Sequence, residues 1–161
     1  MERAFLLSLC SAEQLTRESN FIRAAKRAGV YHAVRFSILG ADPDSPCSFM
    51  RRHGQAEQLL RDSGMAFTML RPSYFMQNLL WFTKDIRSRG VFYSALPATS
   101  KHSHVDVRDI AAVAVAALTE LGHEGKVYRI TGPQALTYQE AAEILSDATG
   151  KKVRYDYSPE N

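Results

Sequence analysis

Cysteine is scarce: Cys10 and Cys47 stand far apart, with no second pair that would build a metal knuckle. In a reducing compartment both are expected to remain thiols. Long apolar runs are missing as well, since no window approaches the roughly 18 residues of a membrane span. The first residues lack a positive region followed by an apolar stretch and a cleavage site, so the expected location is cytoplasmic. Charge is not one-sided: 20 Lys and Arg against 17 Asp and Glu, interspersed, give +3 and argue against a nucleic-acid or membrane surface. The expected partner is a small molecule or another protein. Glycine is scattered over nine positions in which neither G-x-G-x-x-G nor G-x-x-G-x-x-G can be written. With 45% hydrophobic residues in 161, the chain can still bury one core.

The order of patterns is alternating. Arg3 to Leu9 is an apolar run suited to a strand buried on both faces. Ser11 with Gln14 offers a capping box for a helix whose stripe runs through Leu15, Phe21, Ile22 and Ala25 to Gly29. His32 to Ile38 gives a second buried strand, followed by the turn-rich LGADPDSP. A helix over Ser48 to Ser63 and a third strand over Ala66 to Leu70 follow. Strand, helix, strand, helix, strand with short links predicts a parallel sheet. Beyond it the expected elements are a helix over Tyr74 to Arg89, short strands at Gly90 to Ser94 and His102 to Val105, and a helix from Asp106 or Asp109 to about Leu121. A strand over Lys126 to Thr131 follows, then a helix capped by Thr137 and Glu140, and a final strand over Val153 to Tyr157. No internal repeat is visible.

The corner AFTMLRPSYFMQNLL, Ala66 to Leu80, carries the functional interest. Pro72 donates no ladder hydrogen bond and biases Arg71 away from helical angles, so the strand should end there. Ligands of open parallel sheets bind outside the carboxyl ends of strands, which puts Tyr74 and Phe75 at a crevice. The loops around Ser8 to Ser11 and Ser37 to Ser45 open on the same side, and hydroxyls, amides and rings suit a flat heterocycle. Phe75, Leu79 and Leu80 at helical spacing read more readily as core than as site, whereas Tyr74 and Asn78 are the better site candidates. Arg71 reads as a structural cation paired with Asp106 or Asp109. His102 and His104 read as a solvated edge rather than metal ligands. No Ser is flanked by nucleophile-elbow glycines, which disfavours a hydrolase.

The runs AGVYHAVRFSILGADPDSP, HGQAEQLLRDSGMAFTMLRPSYFMQNLL, HVDVRDIAAVAVAAL and HEGKVYRITGPQALTYQEAAEILSDATGKKVRY together resemble the NmrA-like, NAD(P)-binding group of atypical short-chain dehydrogenases/reductases. The resemblance spans nearly the whole chain. It implies an α/β fold: a partial Rossmann-like parallel sheet over residues 1–89 and a small mixed α+β substrate-side lobe over 90–161. By matching position, Ser8, Ser37, Pro72, Tyr74 and Phe75 would border the nicotinamide of NADP or NAD, and His53 and Asn78 would face the substrate.

Two departures shape the expected function. Such proteins grip the pyrophosphate with a glycine-rich turn, absent here, so the first strands of the family's sheet are expected to be missing and dinucleotide binding to be weak or nil. Arg3 to Leu9 would then be an orphaned edge strand that drives self-association. The superfamily's catalytic Tyr with a Lys four residues later is also absent, for Tyr31, Tyr74, Tyr93 and Tyr138 precede Arg35, Asn78, Pro97 and Ala142. The implied activity is hydride transfer from NAD(P)H to a quinone or similar small acceptor. A redox-sensing or regulatory binding protein of the same fold is the alternative.

Overall fold

A computed structural model describes residues 2–158. The chain divides into two compact units, Met1–Pro72 with Arg108–Ile130 and Ser73–Val107 with Thr131–Asn161.

The first unit is built on four parallel strands: β1 (Arg3–Leu6), β2 (His32–Phe36), β3 (Ala66–Pro72) and β6 (Lys126–Ile130), in that order across the sheet. Helices α1 (Gln14–Arg27) and α2 (Ser48–Asp62) connect the first three and pack on each other. Ile22 and Ala25 of α1, Leu60 of α2, Ala33 of β2 and Met69 of β3 close one core with Met65. Fully burying side chains of this size contributes roughly 1.5–3 kcal/mol each. Helix α4 (Val107–Thr119) precedes β6 and buries Ile110, Ala114 and Ala117, one face at helical spacing.

Local expectations change at α1 and at β3. Helix α1 has no capping box: its N-cap is Glu13, whose carboxylate accepts from Ser11 Oγ, while Gln14 turns inward. Strand β3 runs past Leu70 through Pro72. The proline is tolerated because it holds the last position, where one donor is lost, and its carbonyl still accepts from Leu39 N–H at 2.8 Å. Gly54, in the middle of α2, is there for space. A Cβ would lie 2.2 Å from the carbonyl carbon of Asp42 and the nitrogen of Pro43, so the helix seats directly on that loop.

Charge is buried in this unit in a repeated way. After β1, Ser8 Oγ donates to Glu18 of α1 at 2.6 Å, and Arg35 of β2 grips the same carboxylate at 2.7 and 3.0 Å. After β2, Ser37 Oγ donates to Glu57 of α2 at 2.6 Å, and Arg71 of β3 grips that carboxylate at 2.8 and 2.7 Å. Each serine follows one strand, each glutamate lies on the next helix, and each arginine lies on the strand after it.

The second unit holds the shorter elements. The corner leads into a 3-10 segment, Met76–Phe82, then α3 (Thr83–Arg89) and β4 (Val91–Ser94). A two-residue strand β5 (Lys101–His102) pairs antiparallel with β7 (Leu136–Thr137), and β4 pairs parallel with β8 (Arg154–Tyr157). Helix α5 (Tyr138–Thr149) starts with the expected capping box, Thr137 with Glu140, and ends at Gly150 with φ 65°. Its core is Phe92, Tyr138, Ala141, Ala142, Val153 and Tyr155.

The Glu18–Arg35 pair is nearly sealed from water, at 1% and 0% side-chain exposure. Removing one partner leaves an uncompensated buried charge, so Arg35→Met is expected to cost about 3–5 kcal/mol in urea denaturation. The double variant Glu18→Leu with Arg35→Met should cost less than the single one; equal or additive losses would show that the charges do not act as a pair.

Candidate functional site

In the first unit the expected residues sit at strand ends and against the buried glutamates. Ser8 and Ser37 have their hydroxyl protons committed to Glu18 and Glu57; Ser8 is half-buried and offers a ligand oxygen lone pairs only, while Ser37, expected to border a cofactor, is fully buried against Glu57 and presents no surface. Burial alone would raise the Glu18 carboxyl, but Arg35, Ser8 and Gln14 outweigh it and hold it below the usual range. Glu57 behaves alike through Arg71 and Ser37. Arg71 is the structural cation foreseen, with Glu57 as its carboxylate partner rather than the expected Asp106 or Asp109. Pro72 is buried at the end of β3.

His53 lies on α2 with its ring edge-on to Phe49, 5.1 Å between centroids, and its Nδ1 3.5 Å from Arg35 Nη2. A guanidinium only donates, so Nδ1 accepts and the ring proton sits on Nε2. Burial and the Arg35 charge push the imidazole down to about 4, making His53 a neutral donor throughout the physiological range. Cys47, exposed at the N-cap of α2, is lowered by hydrogen bonds from the backbone N–H groups of Met50 and Phe49, with Arg51 and Arg52 adding to them.

In the second unit the corner is extended where a helix was expected. Val105 N–H donates to the Tyr74 carbonyl at 2.8 Å, Met76 N–H donates to the Val105 carbonyl at 2.9 Å, and Ser73 Oγ donates to the Ser103 carbonyl at 2.6 Å. These bonds use the backbone groups of Tyr74 and Met76, so helical turns begin only after Phe75. Gly132 packs on the other partner of this bridge, with the His104 carbonyl 1.9 Å from where a Cβ would stand.

The result is a cleft of about 460 Å³ walled by Tyr74, Asn78, Trp81, Phe82, Tyr93, His104 and Tyr138, among others. Tyr74 and Asn78 thus meet, whereas Phe75 is half-buried and outside the lining. His102 and His104 are no solvated edge. His102 lies 4.9 Å from Tyr74 and 5.3 Å from Tyr138 between ring centroids, and His104 lies 5.7 Å from Tyr138. Tyr138 also stacks on Tyr155 at 4.9 Å. Burial lowers both histidines, His104 further through the charge of His102, and burial raises the Tyr138 phenol. The walls are therefore uncharged near neutral pH, with Asn78, Tyr74, Tyr138 and His104 able to hydrogen-bond a carbonyl oxygen. Among the described residues no group of His, Cys, Asp and Glu could hold a metal ion. Sequence reasoning missed Tyr138, Trp81, Phe82 and Tyr93; the available signal was the density of aromatic residues along Phe82, Phe92, Tyr93, Tyr138 and Tyr155.

With this geometry in view, comparison with known proteins is decisive. The NmrA-like family model matches residues 4–161. The chain belongs to the NmrA-like family. It is 46% identical over 155 residues to an NAD(P)H azoreductase of Xenophilus azovorans, covering 96% of this chain and 54% of the relative. An NADPH-dependent quinone oxidoreductase of Escherichia coli, solved in complex with NADPH, superposes with a TM-score of 0.88 at 34% identity, covering 98% of this chain and 55% of that one. A Citrobacter triphenylmethane reductase complexed with NADP(H) gives 0.82 at 26% identity, with 98% and 56% covered. The NmrA-like chain thus spans about half the length of the curated relatives it matches. Its fold is the Rossmann-like parallel arrangement of these oxidoreductases. No helix among the described residues is long and apolar enough to cross a membrane.

The state of His53 gives a pH dependence. Unfolded, the imidazole ionises below 6.5; folded, it stays neutral to about 4. The unfolded chain binds the extra proton in that window, so stability is expected to fall as pH drops from 6.5 to 4, by at most about 1.4 kcal/mol per unit from this group. The His53 ring-proton resonance should titrate near 4; a midpoint near 6.5 would contradict the contact with Arg35.

Proposed function

We propose that this chain carries the acceptor-binding part of an NAD(P)H-dependent oxidoreductase that passes a hydride to a quinone or another planar aromatic acceptor. The observation that carries the reading is the ring-walled cleft of Tyr74, Trp81, His104 and Tyr138. Aromatic faces and edges there suit a flat ring, each such pair contributing about 0.5–1.5 kcal/mol beyond area. Asn78 supplies an amide for an acceptor oxygen. A reduced nicotinamide would supply the hydride. A quinone that accepts it needs one further proton to leave as hydroquinone. In this reading that proton comes from water, since burial disfavours the protonated forms of His102 and His104 and makes the Tyr138 phenol hold its proton more tightly.

Of the residues that the family resemblance assigns to the dinucleotide's nicotinamide end, Ser37 and Pro72 are buried, whereas Ser8, Tyr74 and Phe75 keep exposed or partly exposed surface. Its pyrophosphate finds no cradle among the described residues. The three glycines that make close backbone approaches, Gly54, Gly90 and Gly132, are packed on the chain's own backbone. The chain of this length is therefore expected to hold dinucleotide weakly.

Titration of the single tryptophan, Trp81, with 1,4-naphthoquinone should give saturable quenching that Tyr138→Ala weakens about fivefold or more, in line with one lost ring contact. Calorimetry with NADPH should show no saturable heat in the micromolar range. A micromolar dissociation constant would overturn the weak-binding expectation, and such binding without quinone turnover would favour the redox-sensing alternative. Among the described residues β1 has no strand on its other edge, and its Phe5 is exposed; the isolated chain is expected to self-associate there, and sedimentation as a monomer at high concentration would contradict this.

A further inference from the structure

Trp81 is 78% exposed although it borders the aromatic cleft, because its indole also forms the wall of a second recess. That recess is lined by Leu80, Trp81, Thr83, Lys84, Arg87 and Ser88. Lys84 and Arg87 stand three residues apart on α3 and so share a helix face. No carboxylate lines the recess. The nearest acid in sequence, Asp85, is engaged by Arg89 at 3.0 Å and receives the Tyr93 hydroxyl at 3.4 Å. Thr83 Oγ1 and Ser88 Oγ both donate backward to the Leu80 and Lys84 carbonyls. The two cations are therefore the charged donors this recess offers to a ligand, beside the Trp81 indole N–H, and it is positively charged next to a cleft whose own walls are neutral.

We propose that the acceptor is a planar aromatic compound bearing an anionic substituent, a sulfonate or carboxylate, with its rings in the cleft and its anion held by Lys84 and Arg87 beside the Trp81 indole. This rests on the reading of the cleft as the acceptor site. Guanidinium binds an oxyanion through a fork of N–H groups and ammonium through a point charge, so the pair accommodates a tetrahedral sulfonate or a flat carboxylate. Exposure makes the contribution one of selection between acceptors, strong at low ionic strength and screened at high.

The test compares anthraquinone-2-sulfonate with the neutral 2-(hydroxymethyl)anthraquinone by quenching of Trp81, the chain's only tryptophan. At low salt the sulfonate is expected to bind about five- to tenfold tighter. That ratio should fall toward one in 0.5 M sodium chloride with the unmodified chain, and toward one in the double variant Lys84→Gln with Arg87→Gln. Saturable binding of both compounds with equal affinity would overturn the anion site and leave the cleft reading standing. Failure of both compounds to quench would overturn the cleft reading itself, and this inference with it. A ratio that survives both salt and the double substitution would place the anion elsewhere and overturn the assignment.

Discussion

The buried carboxylates Glu18 and Glu57 are what the first unit is organised around. Each is held by two nitrogens of an arginine from the following strand and by a serine hydroxyl from the end of the preceding one. A carboxylate out of water is tolerated only when its lone pairs are met, so strand, helix and next strand must be in register before any one clamp closes. Hydrophobic burial of Ile22, Leu60 and Met69 supplies the driving force but little directionality. The clamps add the directionality. They also account for Ser8 and Ser37 standing at strand ends with their protons already committed.

The first of these clamps also bears on His53. Arg35 serves Glu18 with two of its nitrogens and turns Nη2 toward His53 as well, so the same residue that secures α1 to β2 sets the tautomer of a histidine on α2. A change at Glu18 would therefore reach His53 without touching it, by altering the field of Arg35. Coupling of that kind travels through direct side-chain contacts and needs no movement of the backbone.

Most of the sheet was legible because hydrophobic period and turn residues agree there. HAVRF is buried along its length as a central parallel strand should be, and Gly29, Gly64 and Gly150 end helices where expected. The failures have a common cause: a tertiary partner outcompeting a local signal. Tyr74 and Phe75 carry helical spacing, yet their backbone bonds with Val105 hold them extended. Ser11 and Gln14 form a capping pattern, yet Gln14 is drawn to buried Glu18. The serine, glutamate and arginine of each clamp lie at unequal separations, 10 and 17 residues against 20 and 14, so no sequence repeat announces them. Of the candidate site, Tyr74 and Asn78 were readable from their place after a strand. Tyr138 and His104 were not, because they come from segments whose meeting depends on the pairing of β5 with β7.

The division between grip and selection follows from where flexibility and charge are placed. The cleft wall is stiff: Tyr138 is stacked on Tyr155, whose hydroxyl donates to the Ser94 and Leu96 carbonyls, and Gly132 seats directly beneath the His104 carbonyl. Rigid aromatic walls lose little conformational entropy on receiving a ring, but they distinguish poorly between one flat ring and another. Discrimination then has to come from the rim, where Trp81, Lys84 and Arg87 are exposed and free of carboxylate partners among the described residues. On the proposed reading, a neutral interior with a charged rim would sort acceptors by their substituents and leave their rings to shape alone. Under that reading, a wall that grips flat rings by shape leaves the choice among acceptors to the rim, and the relatives at similar coverage, an azoreductase, a quinone oxidoreductase and a triphenylmethane reductase, differ in the acceptor they are named for.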